Sequence, residues 1–155
     1  MKRTELIAQH LIEVHEGNNW TSVAIADTIS DIGWSEAFAP VPFSPNTIAL
    51  LLGHIAYWNR IVAERGRGIT PVIAGHNGFE VPEAGTGSWE KLKEVLFRSA
   101  RELAEVIRQF DEAKLEMPVL PEHSSAYKNF QGQVEHAHYH LGQIVMIKKY
   151  LRSAG

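Results

Sequence analysis

Apolar residues recur at intervals of three and four in four long segments of the chain, and this pattern constrains the fold more than any other feature. The first segment, residues 3–16, ends before Gly17. The other three cover about residues 45–66, 88–110 and 130–151. Because this spacing lines apolar side chains along one face of an α-helix, the sequence predicts four helices that bury these faces against each other.

Capping residues and helix breakers set the expected ends of these helices. Ser44 followed by Pro45 is typical of a helix N-terminus, and Ser88 is a suitable N-cap for the third long helix. A shorter helix is expected within residues 21–32. Residues 66–87 contain six glycines and two prolines and therefore predict a long loop, which is uncommon inside a compact domain and often functional.

The overall pattern predicts an all-α protein. No segment alternates apolar and polar residues over enough positions to predict a β-strand, and the sequence contains no internal repeat. A chain of 155 residues has the size of one domain, so we expect a single domain over residues 1–155. The predicted fold is a four-helix bundle with an additional short helix and a long loop.

The composition excludes several classes of function. The chain has no cysteine, so it forms no disulfide and supplies no thiolate nucleophile or metal ligand. The formal net charge is −3 and the sequence has no basic block, which disfavours a nucleic acid as partner. No apolar run is long enough for a signal peptide or a membrane span, so we expect a cytoplasmic protein without a membrane partner.

Histidine is unusually frequent, with eight in the chain, and three stand at alternate positions in QVEHAHYHLGQIVM, residues 133–146. On a helix, His136 and His140 share one face, whereas His138 points toward the polar face or a partner. His140 falls on the apolar line of this helix and His136 at its edge. Two imidazoles at i and i+4 can bind the same divalent ion.

His54 is the candidate for a third ligand, because it stands near the apolar face of the second long helix. The neighbouring Gly53 would permit close approach of another helix. His54, His136 and His140 would leave positions open for water or substrate, as in catalytic metal sites. The alternative from spacing alone is a structural bundle without a metal, in which hydrogen bonds satisfy these histidines.

The remaining histidines are expected to have other positions. His10 is spaced with apolar residues of the first helix, which predicts a place at the edge of the core. We expect His15, His76 and His123 on the surface or in loops. The glycine-rich loop that contains His76 could nevertheless fold over the site.

Two segments carry a resemblance to the DinB-like superfamily, which includes the YfiT-type proteins. They are HIAYW, residues 54–58, and HAHYHLGQI, residues 136–144. The family pattern is one histidine on an earlier helix, then His-x-x-x-His late in the chain, followed one residue on by Gly-Gln-Ile. The segment around Trp20 also resembles the family, and the resemblance extends over nearly the whole chain.

The resemblance implies a specific architecture and a metal centre. The bundle would be up-up-down-down with one long crossover loop, and the protein would form a homodimer. A divalent ion, which could be zinc, nickel, iron or manganese, would be held by His54, His136 and His140. Characterised relatives transfer small thiols such as bacillithiol, mycothiol or glutathione, or isomerise their adducts.

This chain departs from the family pattern within the metal motif. The family often has His-Asp-x-x-His, whereas Ala137 follows His136 here. A carboxylate that would orient a ligand imidazole is therefore missing. Gln133 and Glu135 are the candidates to replace it.

The sequence leaves three kinds of function open. The first is a transferase in which the metal ion converts the thiol of a small cofactor to a thiolate, which attacks an electrophilic substrate. The second is a hydrolase in which the same site activates water. The third is a non-catalytic, metal-binding homodimer associated with stress. The sequence assigns no general base, and the candidates are Tyr57, His76, Glu135 and Tyr139.

Overall fold

The computed structural model describes residues 1–153. Four long helices form the bundle, and they are α1 (Arg3–Glu16), α4 (Ile48–Gly66), α5 (Thr86–Gln109) and α6 (Ala126–Ser153). Between α1 and α4 lie two short helices, α2 (Ile25–Ile29) and α3 (Trp34–Ala37), and a 3-10 turn covers Glu112–Lys114. No β-strand forms within residues 1–153, and the predicted all-α four-helix bundle is confirmed.

The long loop is a crossover between two parallel helices. Helices α5 and α6 each pack against both α1 and α4. Along α4 and α5 the contacts advance in the same direction, since Asn59 bonds to Ser99 and Gly66 lies against Val106. These neighbours are therefore parallel, and residues 67–85 return the chain along roughly 28 Å of helix.

The directions of the four helices differ from those implied by the family resemblance. Helix α6 runs opposite to α4, because His54 faces His136 while Arg65 bonds to Asn129 further along the pair. Ion pairs near both ends of α1 show that it runs opposite to α5. The order is therefore up, down, down, up, and the expected up-up-down-down order is wrong because the crossover joins the second and third long helices.

Several helices begin at other residues than predicted. Helix α4 starts later, because Thr47 rather than Ser44 accepts a hydrogen bond from the first turn. Helix α5 starts earlier, directly after Gly85, so Ser88 lies within its first turn. Helix α6 also starts earlier than the predicted Phe130. The earlier start of α6 has a local cause, because the Ser125 hydroxyl accepts the N–H of Lys128 at 3.2 Å and so caps the helix before Phe130.

The core lies between the four long helices, and Trp89 and Phe130 are the largest of its fully buried side chains. The Phe130 ring packs edge-on against Phe110, with 5.1 Å between centroids. The indole nitrogen of Trp89 donates to the carbonyl of Ile32 at 2.9 Å, which ties the segment between α2 and α3 to α5. Burial of such a ring contributes about 1.5–3 kcal/mol.

The long helices are amphipathic rather than apolar throughout. Helix α5, for example, buries Trp89, Leu96 and Leu103 on one face and carries charged residues on the other. No helix among residues 1–153 is both long and apolar enough to cross a membrane. The cytoplasmic location expected from the sequence stays a prediction.

Candidate metal centre

Three histidines from two helices converge inside the bundle. The Nε2 atom of His136 lies 3.0 Å from Nε2 of His54 and 2.9 Å from Nε2 of His140. His54 and His140 are buried, and His136 is half-buried. These are the three residues that the sequence singled out. The structure brings them together, and their ligand atoms all lie within 4.8 Å of one another.

The helical geometry explains why the rings meet. One turn of α6 separates His136 from His140, so both project from the same face toward α4. Antiparallel packing places His54 of α4 at the same level of the bundle. The interplanar angle between each pair of rings is at least 68°, so the imidazoles meet edge to face.

Each of the three imidazoles has an oxygen acceptor at its Nδ1 atom. The pairs are His54 with the carbonyl of Asn77 at 2.7 Å, His136 with Oε1 of Gln133 at 3.1 Å, and His140 with Oε1 of Gln143 at 2.6 Å. A carbonyl oxygen can only accept, so each Nδ1 carries the proton and each Nε2 keeps its lone pair. Three lone pairs therefore converge, and a shared cation would satisfy them.

The spacing of the nitrogen atoms suits a divalent ion. Two nitrogens at roughly 2.0–2.1 Å from one ion lie about 2.9 Å apart at a right angle and about 3.3 Å apart in a tetrahedron. The two separations that involve His136, 2.9 and 3.0 Å, fall at the near end of this range, and all three ligand atoms lie within 4.8 Å of one another. No fourth His, Asp or Glu among residues 1–153 joins the cluster, so an ion here would keep positions open.

Burial keeps the three imidazoles neutral. Removal from water, together with the smaller effects of the neighbouring His140 and His54, lowers the pKa of His136 to about 4. Burial also lowers the pKa of His54 and of His140. Because a metal binds the deprotonated ring, the cluster is in its ligand form near neutral pH, and binding needs no release of protons there.

Gln133 supplies the support for His136 that the missing carboxylate would give. Its Oε1 faces Nδ1 of His136, and its Nε2 donates to Oδ1 of Asn59 at 2.8 Å. Glu135, the other candidate, is exposed and lies outside this contact. Gln143, the glutamine of the Gly-Gln-Ile segment, has the corresponding role for His140.

A buried hydrogen-bond chain continues from Asn59 into α1. The Nδ2 group of Asn59 donates to Oγ of Ser99 at 3.1 Å and to Nε2 of His15 at 3.2 Å. His15 in turn donates from Nδ1 to the carbonyl of Leu11 at 2.7 Å. Every group in this chain has its partner, so the orientation of Gln133 is fixed from the far side of the core.

The prediction that His15 lies on the surface is wrong, since its side chain is fully buried. His15 follows Ile7 and Leu11 at intervals of four, which places it on the inward stripe of α1. His10, predicted at the edge of the core, is exposed. The interval of four from Ile7 and Leu11 was therefore the sequence signal for the burial of His15.

The crossover loop forms one wall of the cluster. The Phe79 ring stacks on His54 with 3.9 Å between centroids and an interplanar angle of 10°. Gly53 makes this possible, because a Cβ atom there would lie 3.1 Å from the carbonyl oxygen of Glu80. Gly53 therefore permits the approach of the loop, and not of another helix as expected.

Gly78 holds the same loop against α4. Its φ angle is +80°, a conformation that L-residues rarely adopt. A Cβ atom there would lie only 2.6 Å from Cβ of Tyr57. The Tyr57 hydroxyl accepts the N–H of Ala74 at 2.8 Å, so this candidate base serves as an anchor for the loop.

The other candidate residues lie outside the cluster. His76 is exposed, with its Nδ1 accepting the N–H of Gly78 at 3.0 Å and its Nε2 3.2 Å from Glu80. His138 is half-buried on the side of α6 that faces α1, where burial lowers its pKa. Tyr139 is 66% exposed, although its ring centroid lies 5.0 Å from that of His140.

Comparison with known families agrees with this geometry. A helical bundle with a cluster of three histidines shared by two of its helices defines a class of candidate metalloprotein. The sequence profile of the DinB superfamily matches residues 20–144, a range that includes all three histidines. The chain belongs to the DinB superfamily, which confirms the predicted resemblance. No curated protein matches the chain.

Proposed function

We propose that His54, His136 and His140 bind one divalent metal ion and that the protein is a transferase for a low-molecular-weight thiol. The observation that supports this most is the convergence of three Nε2 lone pairs, each set by an acceptor at Nδ1. Imidazole ligands suit zinc, nickel and iron, and manganese is a further candidate. The open positions of the proposed centre would admit a substrate.

The proposed chemistry needs a sulfur atom from outside the protein, because the chain has no cysteine. A divalent ion held by the three histidines would supply a positive charge that lowers the pKa of a nearby thiol toward neutrality, so that the thiol loses its proton to solvent. The sulfur of the thiolate would then form a bond to the electrophilic carbon of the substrate while the bond from that carbon to the leaving group breaks, and the leaving group would depart with the electron pair. The three histidines act as ligands, and Gln133 and Gln143 keep two of the rings in place.

Metal content tests the first half of this proposal. The protein should be purified without a histidine tag or a nickel column and then analysed for its elements. We expect about one ion per chain, a clear loss in His140→Ala, and unchanged content in His123→Ala. His123 is a suitable control because it lies in a loop, where its side chain contacts the carbonyl of Pro121 in the same loop. Metal content well below one per chain would contradict the proposal.

Activity tests the second half. A panel of thiols, including bacillithiol, mycothiol and glutathione, should be assayed with an aromatic chloride as electrophile. We expect turnover that requires the metal ion and disappears in His140→Ala. Turnover of esters or amides without any thiol would instead favour the hydrolase. Metal binding without either activity would favour the non-catalytic, stress-associated protein.

The homodimer is a separate proposal that rests on the family alone. Sedimentation velocity at micromolar concentration measures it directly. We expect the mass of two chains, with or without the metal ion. A single species of 17.4 kDa would contradict it.

A further inference from the structure

A cavity of about 370 Å³ lies beside the histidine cluster, between α4, α6 and the crossover loop. His54 and His136 form one end, and Arg65 and Lys128 line the other parts. The lining contains two permanent cations and no carboxylate, although the chain as a whole has a net charge of −3. The charge of this cavity is therefore opposite to that of the protein, which favours an anionic occupant.

Arg65 is the unusual residue of this cavity. No carboxylate among residues 1–153 forms an ion pair with it, and its one side-chain partner is Oδ1 of Asn129, which accepts from Nη1 at 3.0 Å. Its Nε atom is buried without a partner. Burial lowers the pKa of Arg65, because its guanidinium is partly removed from water. An anion would supply the missing acceptors.

Arg65 and the histidines lie on one continuous surface. His54, Trp58 and Arg65 follow each other along one face of α4, and a helical side chain points back toward the N-terminus. The guanidinium carbon lies 5.6 Å from the Trp58 ring, and the centroid of that ring lies 6.2 Å from that of His136. The indole therefore forms a floor between the cation and the cluster.

We propose that this cavity binds the thiol substrate and that the substrate carries a carboxylate, which Arg65 holds while the sulfur lies at the histidine cluster. The inference rests on the proposed transferase for its thiol, and it narrows the substrate class to anionic thiols. Planar guanidinium and carboxylate groups pair through two parallel hydrogen bonds, which gives orientation as well as affinity. The flat part of the substrate backbone would lie on Trp58.

A matched pair of probes tests the role of the carboxylates. Glutathione and its diethyl ester should be titrated calorimetrically into metal-loaded protein. We expect glutathione to bind the wild type about tenfold or more tightly than the ester. This ratio should fall toward one in Arg65→Gln and stay high in Arg60→Gln. Arg60 lies on the same helix but is exposed and paired with Glu64, so it controls for loss of a charge.

A second probe separates the anion site from the metal chemistry. S-methylglutathione, which has no free thiol, should be added to metal-free protein. Its binding would not depend on the proposed transferase, because neither a thiol nor a metal ion is present. We expect it to shift the ¹H–¹⁵N signal of the Arg65 Nε–H group. The protein could show this shift and yet neither hold metal nor turn over thiols. In that case the proposal that Arg65 binds an anion would stand, and only the proposed transferase activity would be rejected.

Two results would overturn the inference. One is equal affinity of the wild type for glutathione and its ester. The other is a preference for glutathione that Arg65→Gln leaves unchanged, which would place the carboxylates elsewhere. Arg65 also packs on Trp58, so its replacement could lower the stability of the protein. For this reason the affinities for glutathione and for its ester are compared within each variant, because a general loss of stability would weaken both.

Discussion

The side-chain oxygen of Gln133 lies 3.1 Å from Nδ1 of His136, one helical turn away on α6. The other end of the same amide donates to Asn59 on α4 at 2.8 Å. The amide therefore has a defined direction, and it holds the imidazole in the tautomer that leaves Nε2 free for a ligand bond. A neutral amide performs here the task for which the family often has a carboxylate.

Replacing Gln133 by leucine should weaken metal binding. The variant removes the acceptor at Nδ1 of His136, so the ring is free to turn and to change tautomer. We expect affinity for the ion to fall roughly 10–100-fold, the usual cost of losing such a partner. Competition with a chromophoric chelator measures this. The control is Gln131→Leu, which makes the same change two residues away, and equal affinities for the two variants would contradict the prediction.

Removal of the metal should lower thermal stability. An ion that binds only the folded chain stabilises it by about 2.7 kcal/mol when its free concentration is 100 times Kd. For a chain of this size that corresponds to a Tm change of about 5–10 °C. Differential scanning calorimetry with and without chelator tests this, with His140→Ala as the variant that should not respond. If the Tm of the wild type is the same with and without chelator, the prediction of a bound ion is contradicted.

Acid should destabilise the metal-free protein through His15. Burial lowers its pKa from 6.5 to about 4, so the unfolded chain binds a proton more readily than the folded one. Stability from this residue is fully present above pH 6.5 and is lost as the pH falls toward 4, by at most about 3 kcal/mol. Urea unfolding of the wild type and of His15→Gln across this range should show a smaller loss in the variant.

The exposed His10 of the same helix provides the control for that experiment. His10→Gln makes the same substitution at an exposed position of the same helix, and it should lose as much stability as the wild type. Both variants should be compared without metal, since a bound ion would add its own pH dependence. If His15→Gln and the wild type lose stability in parallel between pH 6.5 and 4, another residue is responsible.

Adding a methyl group at Gly78 should displace the crossover loop. The new Cβ would approach Cβ of Tyr57 at 2.6 Å, and the positive φ would be strained. We expect Gly78→Ala to lower the free energy of unfolding by about 1–3 kcal/mol and to weaken metal binding through the Asn77 carbonyl. Gly75→Ala, in the same loop with open space around it, should have little effect. Similar results for both variants would contradict this account.

The sequence predicted the bundle and the meeting of the histidines for clear physical reasons. Apolar spacing is a property of each helix alone, so it identifies helices without knowledge of their neighbours. The positions of His136 and His140 one turn apart follow from the same period. His54 was a candidate from its place near the apolar face of its helix, and the family resemblance strengthened the pairing, because spacing on one helix carries no information about which other helix faces it.

The parts that the sequence could not predict depend on tertiary contacts. Asn77 contributes its backbone carbonyl to His54, and a carbonyl leaves no signature in a sequence. Phe79 and Gly78 lie in the crossover loop, and their contacts with α4 depend on the conformation of that loop. No periodic pattern in the sequence predicts this conformation. The amide of Gln133 was one of two candidates, and its contacts with His136 and with Asn59 of α4 appear only in the folded structure.

The histidine cluster is assembled from parts of the chain that are synthesised far apart in time. His54 and His136 are 82 residues apart, and the last helix completes both the cluster and the bundle. A ribosome therefore presents His54 long before its partners exist, and an ion held by all three histidines could bind only after α6 has been synthesised. A bound ion would therefore mark a molecule in which α6 has packed against α4.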